Sequence, residues 1–146
     1  MKFFAVIAAL ATAAFAQNIT IISPSSGTSV HAGEQLTVAV AKPNSQTTSQ
    51  EIVLLISVVQ CATEGCADTF DASAGAVGQI LYNGPYDPQY LAAAVDAPYE
   101  NFPVTMPSDL SPGDQIALIA THLSLVGTGT YTNLQNTYVA LNVVSD

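Results

Sequence analysis

The chain has 146 residues, of which 49% are hydrophobic and only 9% are charged, and two basic side chains stand against eleven carboxylates for a net charge of −9. A chain this acidic repels the phosphates of nucleic acids and the headgroups of anionic membranes, which excludes both as expected partners. The acidity either serves solubility alone or favours a partner with a basic surface.

The first sixteen residues have the three parts of a secretory signal peptide. Lys2 supplies positive charge, Phe3 to Ala14 is an apolar run without charge or proline, and Ala14-Phe15-Ala16 is a small-residue cleavage site. The run is shorter than the ~20 apolar residues that span a bilayer, which argues against a membrane anchor. We predict that residues 1–16 are cleaved and that residues 17–146 form one secreted, extracellular domain.

The rest of the chain is predicted to be all-β. Short β-branched runs alternate with clusters of Gly, Pro, Asn and Ser, and no stretch has the apolar spacing of an amphipathic helix. A single helical turn is the exception considered, within Gln89–Asp96. The predicted strands are Ile19–Ile22, Leu36–Val40, Glu51–Gln60, Val77–Tyr82, Phe102–Met106, Gln115–Leu125 and Thr137–Val143. About seven strands with regular turns predict a single immunoglobulin- or fibronectin-like β-sandwich, with Pro103 marking the fifth strand as an edge.

The strand Glu51–Gln60 is apolar on both faces. By alternation, one face carries Ile52, Leu54, Ile56 and Val58, and the other carries Val53, Leu55 and Val59. Such a strand is usually central in its sheet, but it also suits an exposed patch that binds a partner.

Two modifications are predicted near the ends of strands. Cys61 and Cys66 are the only cysteines, and in an exported chain they predict a local disulfide worth about 2 kcal/mol, because the loop is short. Asn18 begins an Asn-Ile-Thr glycosylation sequon beside the first strand.

No catalytic constellation stands out in the sequence. His122 and Ser124 share a strand face, but without a nucleophile elbow the pair indicates a hydrogen-bonded structural histidine more than a catalytic base. Copper oxidases of polysaccharides use an N-terminal histidine, whereas the predicted N-terminus here is Gln17. We predict no catalytic residue and no cofactor.

A metal site is not predicted either. Glu64, Asp68 and Asp71 cluster after the main strand without the spacing of a calcium loop, so a solvated loop is favoured over a weak cation site.

Four tyrosines fall in the turn-rich segment between strands. Tyrosine is a frequent anchor of binding surfaces because it offers a large contact area at low entropic cost. The alternative is that these rings pack against the domain. The candidate binding surface is Tyr82, Tyr86, Tyr90 and Tyr99.

Four segments, in order along the chain, carry a family resemblance. They are Ile52–Cys61 with the cysteine loop that follows, Ile80–Gln89, Tyr99–Val104 and His122–Gly127. Together they resemble the fungal necrosis-inducing secreted proteins, a family of small Nis-type effectors. The resemblance implies a non-enzymatic extracellular protein that binds plant immune receptor-associated kinases and suppresses defence. It assigns no binding residues.

Two other functions stay open on the residues alone. The loop tyrosines also suit a cell-wall-associated sandwich that binds polysaccharide, since aromatic rings stack on sugars. An enzyme of unrecognised type is the third possibility.

Overall fold

The computed structural model describes residues 18–44, 48–61, 65–66, 70–91, 96–128 and 131–145. The predicted signal peptide, Gln17, Glu64 and Asp68 lie outside these ranges. The strands in the described ranges are β1 (Thr20–Ser23), β2 (Ser29–Val30), β3 (Gln35–Ala41), β4 (Ser49–Gln60), β5 (Gln79–Gly84), β6 (Tyr99–Thr105), β7 (Gln115–Val126) and β8 (Tyr131–Val143). A single 3-10 turn covers Ala72–Ala74. All seven predicted strands are present, and the additional β2 is too short to give an alternating pattern.

The strands form two sheets, which confirms the all-β class. One sheet has the order β1-β3-β6 and the other β2-β8-β7-β4-β5. Neighbours are antiparallel except β2, which runs parallel to β8. β6 lies at a sheet edge, as Pro103 predicted, and β4 lies between β7 and β5.

The helical turn predicted within Gln89–Asp96 is wrong at its start. Gln89 forms an antiparallel bridge with Tyr99, with both backbone hydrogen bonds at 3.0 Å. Residues 92–95 lie outside the described ranges.

One hydrophobic core lies between the two sheets. Val38 and Phe102 come to it from the three-stranded sheet, and Leu54, Ile56 and Leu118 from the five-stranded sheet. All five are at most 3% exposed. Complete burial of such a side chain is worth roughly 1.5–3 kcal/mol, so this shared core is the main source of the fold's stability.

The predicted face of β4 is wrong at Ile52, which is 41% exposed. The pairing of β4 with β7 shifts by one residue between Glu51 and Val53, so that Leu54 pairs with His122 but Glu51 pairs with Ser124. Such a β-bulge reverses the alternation beyond it. Ile52 is therefore released from the core face, and Glu51 takes the inward position.

Candidate binding surfaces

The structure places Tyr86 in the core, not on a binding surface. Tyr86 is 3% exposed, and its hydroxyl donates a hydrogen bond of 3.1 Å to the carbonyl oxygen of Val40. Its ring meets that of His122 edge-on, with 5.0 Å between the ring centroids. Burial is the main reason that the pKa of Tyr86 is raised, with the charges of Glu51 and Glu100 adding to it. The prediction of Tyr86 as a binding anchor is corrected: the turn cluster around it folds back over the core.

The other three tyrosines differ in exposure. Tyr82 is half-buried, and its ring lies tilted against that of Phe102 with 4.6 Å between the centroids. Its hydroxyl donates a hydrogen bond of 2.7 Å to the carbonyl oxygen of Pro85. Tyr99 is half-buried at the start of β6. Tyr90 is 63% exposed, and its hydroxyl is hydrogen-bonded to the side chain of Asn44. Only Tyr90 presents most of its ring to solvent, so the four do not form one tyrosine surface.

A cluster of charged and polar side chains lies at one end of the core, where the bulge turns Glu51 inward. One carboxylate oxygen of Glu51 contacts the Lys42 ammonium and accepts a hydrogen bond of 2.8 Å from Ser49 Oγ. The other lies 2.5 Å from His122 Nε2. The side chains of Lys42, Glu51 and His122 are 21%, 14% and 2% exposed. The carboxylate thus bridges two basic groups in a largely dry environment.

The pKa values follow from this setting. Burial raises the pKa of Glu51, but the hydrogen bonds from Lys42 and Ser49 and the positive charge of Lys42 outweigh it, so the pKa is lowered overall. Burial lowers the pKa of His122, and the neighbouring Glu51 carboxylate compensates only in part. The favoured state near neutral pH is therefore an ionised Glu51 paired with Lys42 beside a neutral imidazole.

Sequence reasoning missed this cluster. The available signal was that Lys42 is the lone cation outside the predicted signal peptide and that Glu51 is the lone carboxylate in a strongly apolar strand. The two side chains meet only because of the bulge between Glu51 and Val53, and the alternation of apolar residues in β4 does not reveal that bulge.

A cleft of about 280 Å³ opens beside the cluster. Its lining combines charged, amide and proline side chains: Lys42, Pro43, Asn44, Ser49, Glu51, Asp87, Pro88 and Pro98. The space next to His122 and Ser124 is only about 10 Å³, which is the size of one water molecule. His122 and Ser124 are therefore enclosed, each with 2% of its surface exposed.

Within the described ranges, no three His, Cys, Asp or Glu side chains gather closely enough to hold a metal ion. Asp71 accepts hydrogen bonds from the backbone and hydroxyl of Ser73 at the start of the 3-10 turn. These bonds lower the pKa of Asp71, so its role here is to cap the turn.

The disulfide is confirmed, and the residues around it pack on the outer face of the five-stranded sheet. Cys61 and Cys66 are bonded, with their Cα atoms 5.3 Å apart. Cys66 is fully buried against Ile119, and Phe70 packs edge-on against Tyr138 at 5.0 Å. The loop is tied to the sheet by a 2.7 Å hydrogen bond from the Cys66 backbone to the side chain of Gln115.

Another part of that outer face forms what we call the outer apolar patch. It consists of five side chains on three adjacent strands: Val53, Leu55, Leu123, Leu125 and Leu134. Val53, Leu123 and Leu134 are direct neighbours across β4, β7 and β8. Four members are half-buried, and Leu134 is 63% exposed. Of the two interpretations of β4, both hold in part: the strand is interior to its sheet, and its outer face contributes to an exposed patch.

Asn18 is exposed immediately before β1, and its glycosylation stays a prediction. The described ranges contain no helix with the length and apolar character that a bilayer crossing demands.

The family model described as the Nis1 family matches residues 14–142. Since the match spans most of the chain, the protein belongs to the Nis1 family. A comparison with curated proteins gives no match.

Proposed function

We propose that this Nis1-family chain is a secreted fungal effector that binds plant immune receptor-associated kinases and suppresses defence without catalysing a reaction. Family membership over residues 14–142 is the observation that carries an effector-like role. The fungal origin, the kinase target and the effect on defence come from the resemblance.

Secretion is supported by two independent features. Residues 1–16 have the pattern of a cleaved signal peptide. The Cys61–Cys66 bond belongs to an oxidising compartment such as the extracellular space.

Binding is favoured over catalysis by the burial of His122, the histidine considered above as a catalytic base. His122 is enclosed beside a space of about 10 Å³, and it is held by Glu51 and Tyr86. A general base has to reach its substrate within hydrogen-bond distance, and this imidazole does not. The outer apolar patch, by contrast, is a contiguous set of apolar side chains of the kind that marks an interaction site.

The test is a direct binding measurement. Residues 17–146 are produced with the disulfide intact and titrated against purified receptor-associated kinase domains by biolayer interferometry. The immune oxidative burst is measured in leaf tissue given the same protein, with a heat-inactivated sample as control. Saturable binding together with a reduced burst supports the proposal; no binding across the kinase panel rejects it.

The alternative, polysaccharide binding at the cell wall, is favoured by the exposed ring of Tyr90 near the cleft. Tyr90 is hydrogen-bonded to Asn44, which lines that cleft. Retention on insoluble glucan or chitin that is lost in Tyr90→Ala would support it. Tyr86→Ala is unsuitable for this test, because Tyr86 is buried and its loss would disturb the core.

We also propose that the two sheets form an immunoglobulin-like sandwich. The strand order β1-β3-β6 facing β2-β8-β7-β4-β5 supports this, with eight strands in place of the seven expected. An experimental structure with a different strand order would reject it.

A further inference from the structure

The outer apolar patch is a continuous surface rather than a scatter of exposed residues. The pairing register places Val53, Leu123 and Leu134 side by side, and Leu55 and Leu125 extend the row along β4 and β7. Single exposed apolar side chains are ordinary, but contiguous ones mark an interaction site. Cys66 and Phe70 pack on a neighbouring part of this face, against Ile119 and Tyr138.

The whole five-stranded sheet is nearly free of charge. Among the residues of β2, β4, β5, β7 and β8, Glu51 and His122 are the only acidic or basic side chains, and they contact each other at the end of the core. The patch is bordered by uncharged polar side chains, among them Thr121, Thr132 and Asn136. No charge has to be desolvated when a partner covers it.

The remaining surface is anionic. Lys42 is the only lysine or arginine in the described ranges, and its charge is neutralised by Glu51. In the described ranges, no other lysine or arginine offsets the negative charge of the exposed carboxylates. Asp71, which caps the 3-10 turn next to β8, is one of them. The net negative charge of the chain therefore attracts a basic surface and repels a second copy of this chain.

We propose that the outer apolar patch is the docking surface for a protein partner whose contact surface is apolar at its centre and rich in lysine and arginine at its rim. The inference rests on the proposed function, for which it names the surface and the chemistry of the partner. Apolar contact supplies the affinity, and the acidic surroundings steer the encounter.

The experiment compares two variants that add the same charge at equally exposed apolar positions. Leu134→Arg lies in the patch, whereas Leu91→Arg lies outside it on the segment after β5; the wild-type side chains are 63% and 56% exposed. Both variants should unfold at the wild-type temperature, because neither side chain is in the core. Binding to purified kinase domains is measured for each at low and high salt.

We expect Leu134→Arg to weaken binding by about tenfold or more. Leu91→Arg should stay within about twofold of wild type, because charge steering alone changes affinity less than loss of a contact. Wild-type affinity should fall as salt rises. Hydrogen exchange on the wild-type complex should slow at the patch segments of β4, β7 and β8.

Three results would overturn the inference. Equal binding by wild type and Leu134→Arg would reject the patch while leaving the proposed function standing. A wild-type dimer in light scattering that is lost in Leu134→Arg would assign the patch to a second copy. If the wild type bound none of the kinase domains, the proposed function would fail, and this inference with it.

Discussion

Replacing Glu51 by glutamine should strongly destabilise the domain. The substitution keeps the shape of the side chain and removes the charge that lies between Lys42 and His122. Lys42 is left with 21% of its side chain exposed and no carboxylate partner in the cluster. An ammonium in that position has lost part of its water without gaining an ion pair.

The expected cost is about 2–3 kcal/mol. Removing one partner of a fully buried ion pair costs roughly 3–5 kcal/mol. The cost is lower here because Lys42 lines the open cleft, and its flexible stem lets the ammonium reach water. Against a typical domain stability of about 5–15 kcal/mol, this is a large loss.

Urea unfolding of residues 17–146 measures the effect, with an unchanged dependence on urea required for a two-state comparison. The matched controls are Lys42→Met and the double variant Lys42→Met/Glu51→Gln. We expect the double variant to be more stable than the sum of the single losses by about 1 kcal/mol or more, because it leaves no unpaired charge. A loss below about 0.5 kcal/mol for Glu51→Gln, or strict additivity, would refute the role assigned to the pair.

The remaining predictions also concern stability. Because burial holds the pKa of His122 below its ordinary value of 6.5, the unfolded chain takes up this proton first as the pH falls. The stability of the wild type should therefore decline below about pH 6.5, and urea midpoints between pH 7.5 and 5 should fall less steeply for His122→Gln. Tyr86→Phe should cost about 1 kcal/mol in urea unfolding, since it removes a buried hydrogen bond; an unchanged midpoint would contradict this. Replacing Cys61 and Cys66 by serine should cost about 2 kcal/mol, and reduction of the wild type should give the same shift in thermal unfolding. Gly78→Ala should cost more than about 2 kcal/mol of stability. Gly78 has φ +60°, and an added Cβ would lie 2.1 Å from a backbone carbonyl oxygen of β4. A soluble variant with the wild-type melting temperature would disprove this prediction.

The strands were predictable wherever one face is apolar and the other polar. β8 departs from that rule in its first half: the sequence predicted a start at Thr137, and the strand begins at Tyr131. There Gln135 points inward and is buried, where it accepts a hydrogen bond of 3.0 Å from the Ile19 backbone, while Leu134 points outward. A strand with a polar core position and an apolar solvent position does not give the expected alternation.

The candidate site was less predictable, because it depends on contacts between distant segments. Tyr86 lies in a turn sequence rich in glycine and proline, which is typical of exposed loops, yet it fills a core position beside His122. The outer apolar patch was predictable in part, since the sequence shows that the second face of β4 is apolar. Its partner Leu134 belongs to the part of β8 that the alternation did not reveal.

The bulge at Glu51 connects the polar cluster to the outer apolar patch. The shift in register turns Glu51 inward, toward Lys42, and it lies directly beside Val53, which pairs with Leu123 on the outer face. The cluster and the patch are therefore opposite sides of the same piece of sheet, and a change that relaxes the bulge alters both. A binding defect in Glu51→Gln would not locate the interface, because lost charge pairing and a displaced Val53 have the same outcome. Leu134 lies on the far strand, outside the bulge, and so its substitution tests the patch without disturbing the cluster.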